Sequence, residues 1–344
     1  MTSRTTSRAS SPAPLTVAVT GPTGTFGFGL LPLLEAEPGV GSVVGVARRP
    51  FDPDEHGWHK MTYRCGDVRD QDVLEDAFTG ADVVVHLAFL ITGTSSLDTA
   101  REINIEGTVN AFRAAASVGA KRFVYASSVA AYGFHTDNPV GMTEDWPVRP
   151  AEHLFYAQEK AELEETLAAE SARHPDIGLY LLRPPIVLGP HAVGGKSDLL
   201  EKLLPFGRQA SAAIRRLPLP VPVLAPDIPV QFIHEEDVGR AFVQCILGVG
   251  PPGEYNITGD GVVTGTDVAR ELGFTPLGVP SGVVQRAARG VAGLPMPSFV
   301  PPVSGWAEAF SHPAIIDASK AKRELHWEPR FTSIEALRAT LRGD

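Results

Sequence analysis

The chain has 344 residues, 43% hydrophobic and 20% charged, which is long enough to bury a large core and too apolar for wholesale disorder. A net charge of −10 with no basic cluster argues against nucleic acid, and no apolar run nears the roughly eighteen residues of a membrane span. Cys65 and Cys245 lie far apart without metal-ligand spacing; they read as reduced residues on buried elements, and no metal site is expected.

Met1 to Pro14 is Ser/Thr/Arg/Pro-rich and lacks an apolar h-region, so it reads as a loose tail rather than a secretory signal, and the expected location is cytoplasmic. Leu15-Thr16-Val17-Ala18-Val19-Thr20 follows as a short strand rich in β-branched residues. It runs into Gly21-Pro22-Thr23-Gly24-Thr25-Phe26-Gly27 and then a helical stretch from Phe28 to Glu37. Gly21 permits a tight turn, Gly24 lets backbone approach a pyrophosphate, and Gly27 allows close packing of helix and strand. The helix N-terminus would face the anion with free N–H groups, which makes Gly21 to Gly27 a candidate dinucleotide site.

The second strand, Val43-Val44-Gly45-Val46-Ala47, leads into Arg48-Arg49-Pro50, with no carboxylate until Asp52. A carboxylate here suits a ribose 2′-hydroxyl, whereas a guanidinium suits a 2′-phosphate, so the pair points to NADP and leaves NAD as the alternative. Val83 to Ala88 is a continuous apolar run, as in a strand buried on both faces. Glu102 to Val118 reads as a helix closed by Gly119, and Arg122 to Ala126 as the next strand, ending at Ser127 and Ser128.

Tyr156 and Lys160 open a segment of strong helix formers, so they share one helix face. The ammonium can favour the ionised phenol, and a phenol tuned this way can carry a proton near neutral pH. Leu179 to Leu182 is the following strand. Beyond Arg183, prolines crowd Leu217 to Pro229 and Phe274 to Pro302, marking an irregular second region. Val230 to Ile233 and Asp237 to Ile246 read as one further strand and helix; His234-Glu235-Glu236-Asp237 is read as their junction, with Asp237 as N-cap, rather than as a metal site.

Thr20-Gly21-x-x-Gly24-x-x-Gly27, Tyr125-Ala126-Ser127-Ser128 and Tyr156-x-x-x-Lys160, in this order, resemble the extended short-chain dehydrogenase/reductases, the NAD-dependent epimerase/dehydratase family. The likeness runs from Leu15 to Pro329. It implies an α/β fold: a Rossmann-type doubly wound parallel sheet with a smaller, irregular C-terminal substrate-binding region. Residues 1–14 would be the tail and 15–185 the dinucleotide domain, with 230–257 returning to it; 186–229 and 258–344 would bind substrate.

The resemblance also assigns roles. Tyr156 would be the general acid and base, Lys160 would lower its pKa and hold the ribose, and Ser128 would steady the reacting oxygen. Asn104 would support the site. Thr23, Thr25 and Phe26 would join the glycines around the pyrophosphate. Asp67 and Val68 would meet the adenine, Leu87 and Ala88 the phosphates and ribose, and the backbone of Pro184 and Ile186 the nicotinamide amide. Tyr132 and His191 are the further substrate-side candidates. A small-molecule substrate and a homodimer are expected.

The reaction is less narrowly defined. Nucleotide-sugar enzymes of the resembled family carry an arginine before the strand at Gln231-Phe232-Ile233, to grip the diphosphate. This chain has none between Arg216 and Arg240, and Leu217 to Leu224 is apolar and proline-rich. The expectation is therefore an NADP-dependent oxidoreductase acting on a carbonyl or alcohol of a non-sugar metabolite. The alternatives are an epimerase/dehydratase acting on a nucleotide sugar and a non-catalytic cofactor-sensing protein.

Overall fold

Strands whose neighbouring residues face opposite ways need apolar side chains at every position when both faces are covered. The first strand shows this: Val17 and Val19 enter one core and Ala18 the other. Val83 and Val85 likewise oppose Val84. The computed structural model describes residues 13–91, 97–152, 154–194, 221–279, 283 and 312–342.

The strands are β1 (Leu15–Thr20), β2 (Val40–Ala47), β3 (Met61–Cys65), β4 (Val83–His86), β5 (Arg122–Ala126), β6 (Gly178–Arg183), β7 (Ile186–Leu188), β8 (Pro222–Pro226), β9 (Pro229–Val230), β10 (Phe232–His234), β11 (Gly253–Asn256), β12 (Val263–Thr264) and β13 (Thr275–Val279). The helices are α1 (Thr25–Ala36), α2 (Gln71–Phe78), α3 (Leu97–Arg101), α4 (Gly107–Ser117), α5 (Phe155–Arg173), α6 (Pro190–Gly194), α7 (Glu235–Leu247), α8 (Gly265–Glu271), α9 (Ser319–Glu324) and α10 (Ser333–Arg342).

Seven strands form one sheet in the order β11-β6-β5-β4-β1-β2-β3, all parallel. The expected Rossmann-type sheet is thus present. The order reverses between β1 and β4, and ligands of such sheets bind beyond the carboxyl ends of the strands at that point. Thr20 and His86 are register partners there, so Gly21 and Leu87 leave the sheet side by side.

β11 joins the sheet beside β6, and α7 packs on α1. The remaining strands make small pairs, β10 with β7, β9 with β12 and β8 with β13. Leu217 to Pro220, part of the expected apolar wall, and most of Phe274 to Pro302, read as irregular and proline-rich, lie outside the described residues. Among the described residues no helix is long and apolar enough to cross a membrane. Cys245 is buried, as expected, whereas Cys65 is exposed at the end of β3.

Several boundaries differ from expectation for local reasons. The helix read over Glu102 to Val118 starts as a π-helical turn, Glu102–Glu106, before α4. α7 starts at Glu235, because His234 caps it by accepting from Glu236 N at 3.2 Å. Asp237, expected as that cap, is fully buried and accepts from Arg330 N (2.8 Å) and Phe331 N (3.0 Å), tying the C-terminal segment to α7.

Candidate functional site

Gly21 turns the chain with φ +69°, and a Cβ there would lie 2.8 Å from Ala88 N. At Gly27 a Cβ would lie 1.9 Å from Pro22 O, so no side chain fits. Gly21 N donates to Val46 O (2.9 Å), and Gly24 N to Gly21 O (3.2 Å). Gly24 caps α1 without a side-chain bond, and Thr23 and Gly24 are exposed. As at any helix start, the N–H groups of Thr25, Phe26 and Gly27 have no acceptor within α1, and with no side-chain cap at Gly24 they suit an anion such as a dinucleotide pyrophosphate. The Phe26 ring points elsewhere, 6.4 Å from Phe242 in the core.

Beneath this turn runs a buried polar chain. Thr20 Oγ1 lies 2.8 Å from His86 Nδ1, and His86 Nε2 lies 3.0 Å from Thr108 Oγ1. Thr108 donates to Asn104 O at 2.5 Å, so its oxygen must accept from Nε2–H, and Nδ1 must then accept from Thr20. His86 is neutral: burial, then the nearby Lys160 charge, pushes its pKa down to about 3. The imidazole thus fixes the floor under Leu87 and Ala88 and does not reach a ligand.

A depressed folded-state pKa adds stability above the unfolded value of 6.5, and that stability is lost as pH falls towards 3. Wild type should lose about 2–3 kcal/mol from this group between pH 6.5 and about pH 4.5, and His86→Gln should lose none of it. Denaturant unfolding of both proteins across that range checks this: their stability difference should shrink with acid, and a constant difference would refute it.

Ser128, Tyr156 and Lys160 meet at the carboxyl ends of β5 and β4. The Tyr156 phenol is hydrogen-bonded by the Ser128 side chain. Ser128 Oγ also accepts from Ala130 N (3.2 Å), which fixes its rotamer at the turn after β5. Lys160 Nζ donates to Tyr125 Oη (3.0 Å) and Ala126 O (2.7 Å). It lies 3.7 Å from the Phe89 ring centroid but 5.9 Å from that of Tyr156. Phe89 also meets Tyr156 edge-on, with centroids 5.5 Å apart.

This arrangement corrects one expectation. The Tyr156 pKa is raised, because burial outweighs the Ser128 hydrogen bond. The lysine charge is spent on Tyr125 and Ala126 instead. Burial pushes Lys160 down to about 7, against the opposing pull of Glu164 and Glu159.

Asn104 sits in the π turn and does not face the phenol. Its Oδ1 accepts from Leu90 N (2.7 Å), and its Nδ2 donates to Leu90 O (3.0 Å) and to Glu159 Oε2 (2.7 Å). It clamps the segment after β4 that carries Phe89, and so supports the site through Phe89. A π turn of this kind re-aims side chains where a regular helix could not.

Tyr132 is fully buried, so its assignment to substrate is corrected. Its hydroxyl takes a bond from Arg183 Nη1 (2.6 Å) and lies 2.9 Å from Asn256 Oδ1. Arg183 in turn makes a two-pronged pair with Glu164, at 2.9 and 2.6 Å, and Ser127 Oγ donates to the same carboxylate. His191 stacks on Phe28 (4.5 Å, 10°) and its Nδ1 lies 2.6 Å from Glu235 Oε1, packing α6 on α1, with its side chain still 47% exposed.

The remaining cofactor candidates frame the turn. Pro184 O accepts from Val129 N (3.0 Å), joining β6 to the Ser128 turn, while Ile186 begins β7 opposite Phe232. Asp67 is held by Arg69 through Nε (3.1 Å) and Nη2 (2.8 Å), whose hydrogen bond lowers its pKa. Val68 is buried against α4. Arg48 and Arg49 are exposed and have no ion-pair partner among the described residues.

Residues missed in the sequence are Phe89, Tyr125, Glu159 and Glu164. Glu164 alone left a signal, since Tyr156, Lys160 and Glu164 repeat at four-residue spacing on one face of α5. Among the described residues no cluster of His, Cys, Asp or Glu could hold a metal.

Comparison with known proteins gives consistent results. Residues 17–258 match the NAD dependent epimerase/dehydratase family. An N-acetyl-alpha-D-glucosaminyl-diphospho-ditrans,octacis-undecaprenol 4-epimerase of Escherichia coli O157:H7 is 31% identical over 155 residues, covering 44% of this chain and 45% of that one. The UDP-glucose 4-epimerase of Thermotoga maritima, solved with UDP-glucose, superposes with TM-score 0.70 at 19% identity, covering 96% of this chain and 98% of that one. The dTDP-glucose 4,6-dehydratase of Bacillus anthracis, solved with NAD, also gives 0.70, at 17% identity and 96% coverage of each. At such identities the two structures establish the fold alone.

Proposed function

The chain belongs to the NAD dependent epimerase/dehydratase family, and from that membership we propose that it moves a hydride and a proton on a sugar carried by a diphosphate. The observation that carries this reading is the Tyr156 phenol, hydrogen-bonded by Ser128 and beside buried Lys160, at the carboxyl ends of the strands next to the glycine turn. A bound nicotinamide would supply the hydride acceptor and donor. Gly21 to Gly27 and the α1 N-terminus would hold its pyrophosphate. Tyr156 would exchange its phenolic proton with the reacting oxygen, giving it when a carbonyl is reduced and, as the phenolate, taking it back when a hydroxyl is oxidised; its raised pKa favours the giving step, while Ser128 would steady that oxygen and Lys160 would hold the ribose.

The named relatives favour a diphosphate-linked sugar over the non-sugar substrate expected from sequence: two act on nucleotide sugars and one on a lipid-diphosphate sugar by their names. One observation supports the non-sugar reading. Gln231, where the resembled family has an arginine nearby, spends its amide on Ile316, donating to its O (3.1 Å) and accepting from its N (2.9 Å). Buried and held at both ends of its amide by Ile316, it supplies no cation to grip a diphosphate.

For the cofactor, the family and the NAD-bound dehydratase favour NAD, whereas exposed Arg48 and Arg49, with Asp67 already neutralised by Arg69, favour NADP. We propose NADP, because an arginine pair at this strand end suits a 2′-phosphate and no carboxylate stands there to receive a 2′-hydroxyl.

Incubation with UDP-glucose or dTDP-glucose and oxidised dinucleotide separates the substrate readings. The sugar reading predicts an isomerised or dehydrated sugar with no net reduced cofactor, and thermal stabilisation by the sugar nucleotide. Absence of both, with stoichiometric oxidation of reduced dinucleotide by a non-sugar carbonyl in a parallel incubation, would replace it with the second reading.

A further inference from the structure

The turn carrying Arg48 and Arg49 is pinned by a residue on the neighbouring strand. Tyr63 lies on β3, in register with Gly45 of β2. Its phenol reaches past the strand end and shares its one proton between Ala47 O (3.2 Å) and, at closer range, Arg49 O. Burial, and then the electrostatic influence of Cys65, raise the Tyr63 pKa, so the phenol keeps its proton and remains a donor. One hydroxyl thus holds the backbone on both sides of Arg48.

The surrounding packing makes the clamp stiff. The Tyr63 ring lies 5.5 Å from Phe51, which stacks on His56 (5.0 Å, 9°) and contacts Trp58 (5.6 Å). His56 in turn meets Phe28 in the first part of α1, at 5.4 Å. The segment after the arginines is therefore folded back onto the same helix whose N-terminus faces the proposed pyrophosphate. On the other side, Val46 O accepts from Gly21 N (2.9 Å), so the arginine turn and the glycine turn are joined through one hydrogen bond.

Arginine side chains are long, and ordering them on a ligand costs entropy. A turn already fixed in the binding conformation reduces that cost, and the gain is realised only by a ligand that the guanidinium groups touch. We propose that Tyr63 is a specificity-positioning residue: by fixing the Arg48–Arg49 turn it sets the discrimination between dinucleotides with and without a 2′-phosphate. This deepens the NADP reading of the site and rests on it.

The test is calorimetric binding of NADPH, NADH and adenosine 2′,5′-bisphosphate to wild type, Tyr63→Phe, Arg48→Ala/Arg49→Ala and the triple variant. Tyr63→Phe removes one hydroxyl and keeps the ring, so the packing against Phe51 survives. It should weaken NADPH and the bisphosphate about fivefold, the worth of roughly one hydrogen bond, and leave NADH within about twofold. In the background lacking both arginines, Tyr63→Phe should no longer change the NADPH to NADH ratio, because the two act through one interaction.

The outcomes separate the two claims. Wild type that binds NADH as tightly as NADPH would remove the cofactor reading and the inference with it. Wild type that prefers NADPH, with a Tyr63→Phe ratio unchanged or with both cofactors weakened equally, would overturn the inference alone. In that case Tyr63 would be a packing residue.

Discussion

Glu164→Gln is expected to destabilise the fold by about 3–5 kcal/mol, the cost of leaving a buried charge without its partner. The side chains of Glu164 and Arg183 are 6% and 5% exposed, and their pair is two-pronged. The carboxylate also receives Ser127, while Arg183 holds Tyr132. Gln keeps the shape of the side chain but offers one acceptor and a donor to a guanidinium that needs only acceptors. Denaturant unfolding at neutral pH measures the effect. A companion replacement of both partners, Glu164→Leu with Arg183→Met, should cost much less than the sum of the two single changes, since no uncompensated charge remains. A Glu164→Gln loss below about 1 kcal/mol, in the range of exposed pairs, would show that the network is not the buried structure described.

The same network has a consequence for the site. Ser127 and Ser128 are neighbours at the end of β5, and Ser127 is fastened to the helix that carries Tyr156 and Lys160. Ser128 is therefore held against Tyr156 by a strand end and a helix that are tied to each other. Precision of this kind is what proton transfer over one hydrogen bond requires.

Much of the fold was readable because its signals are local. The alternation of Val17, Ala18 and Val19 reports a strand covered on both faces, and the glycine turn follows a strand and opens a helix, as a phosphate-binding turn must. The pairing of Tyr156 with Lys160 follows from helix geometry alone. What was not readable depends on partners remote in sequence. Nothing near Tyr132 announces Arg183, which holds its buried hydroxyl, and nothing near His191 announces the Phe28 ring on which it stacks. The sequence puts Asn104 at the site, but its clamp on Leu90 depends on a π turn that residue pattern does not encode. The expected lowering of the Tyr156 pKa failed because spacing sets which face the lysine shares, while burial and competing acceptors decide where its charge is used.

Tyr156→Phe is expected to cut turnover by about 10² or more while leaving fold and cofactor affinity intact, because it removes a transferable proton and little else. The ring contacts to Phe89 and the position on α5 are retained. Lys160→Ala should impair turnover and cofactor binding together, since its ammonium fixes Tyr125 and Ala126 around the phenol and would serve the ribose. Ser128→Ala should lower turnover with cofactor affinity nearly unchanged, as its hydroxyl bonds the phenol and not the glycine turn.

The decisive measurement is single-turnover hydride transfer, followed by nicotinamide absorbance, with wild type and Tyr156→Phe saturated with dinucleotide. Both proteins are mixed with UDP-glucose and dTDP-glucose in the presence of oxidised dinucleotide, and with a panel of non-sugar carbonyls in the presence of reduced dinucleotide. The account predicts rapid transfer in wild type with at least one of these, and loss of about 10² or more in Tyr156→Phe with unchanged dinucleotide affinity. Transfer at the same rate in both proteins would contradict it, and would remove Tyr156 from the chemistry.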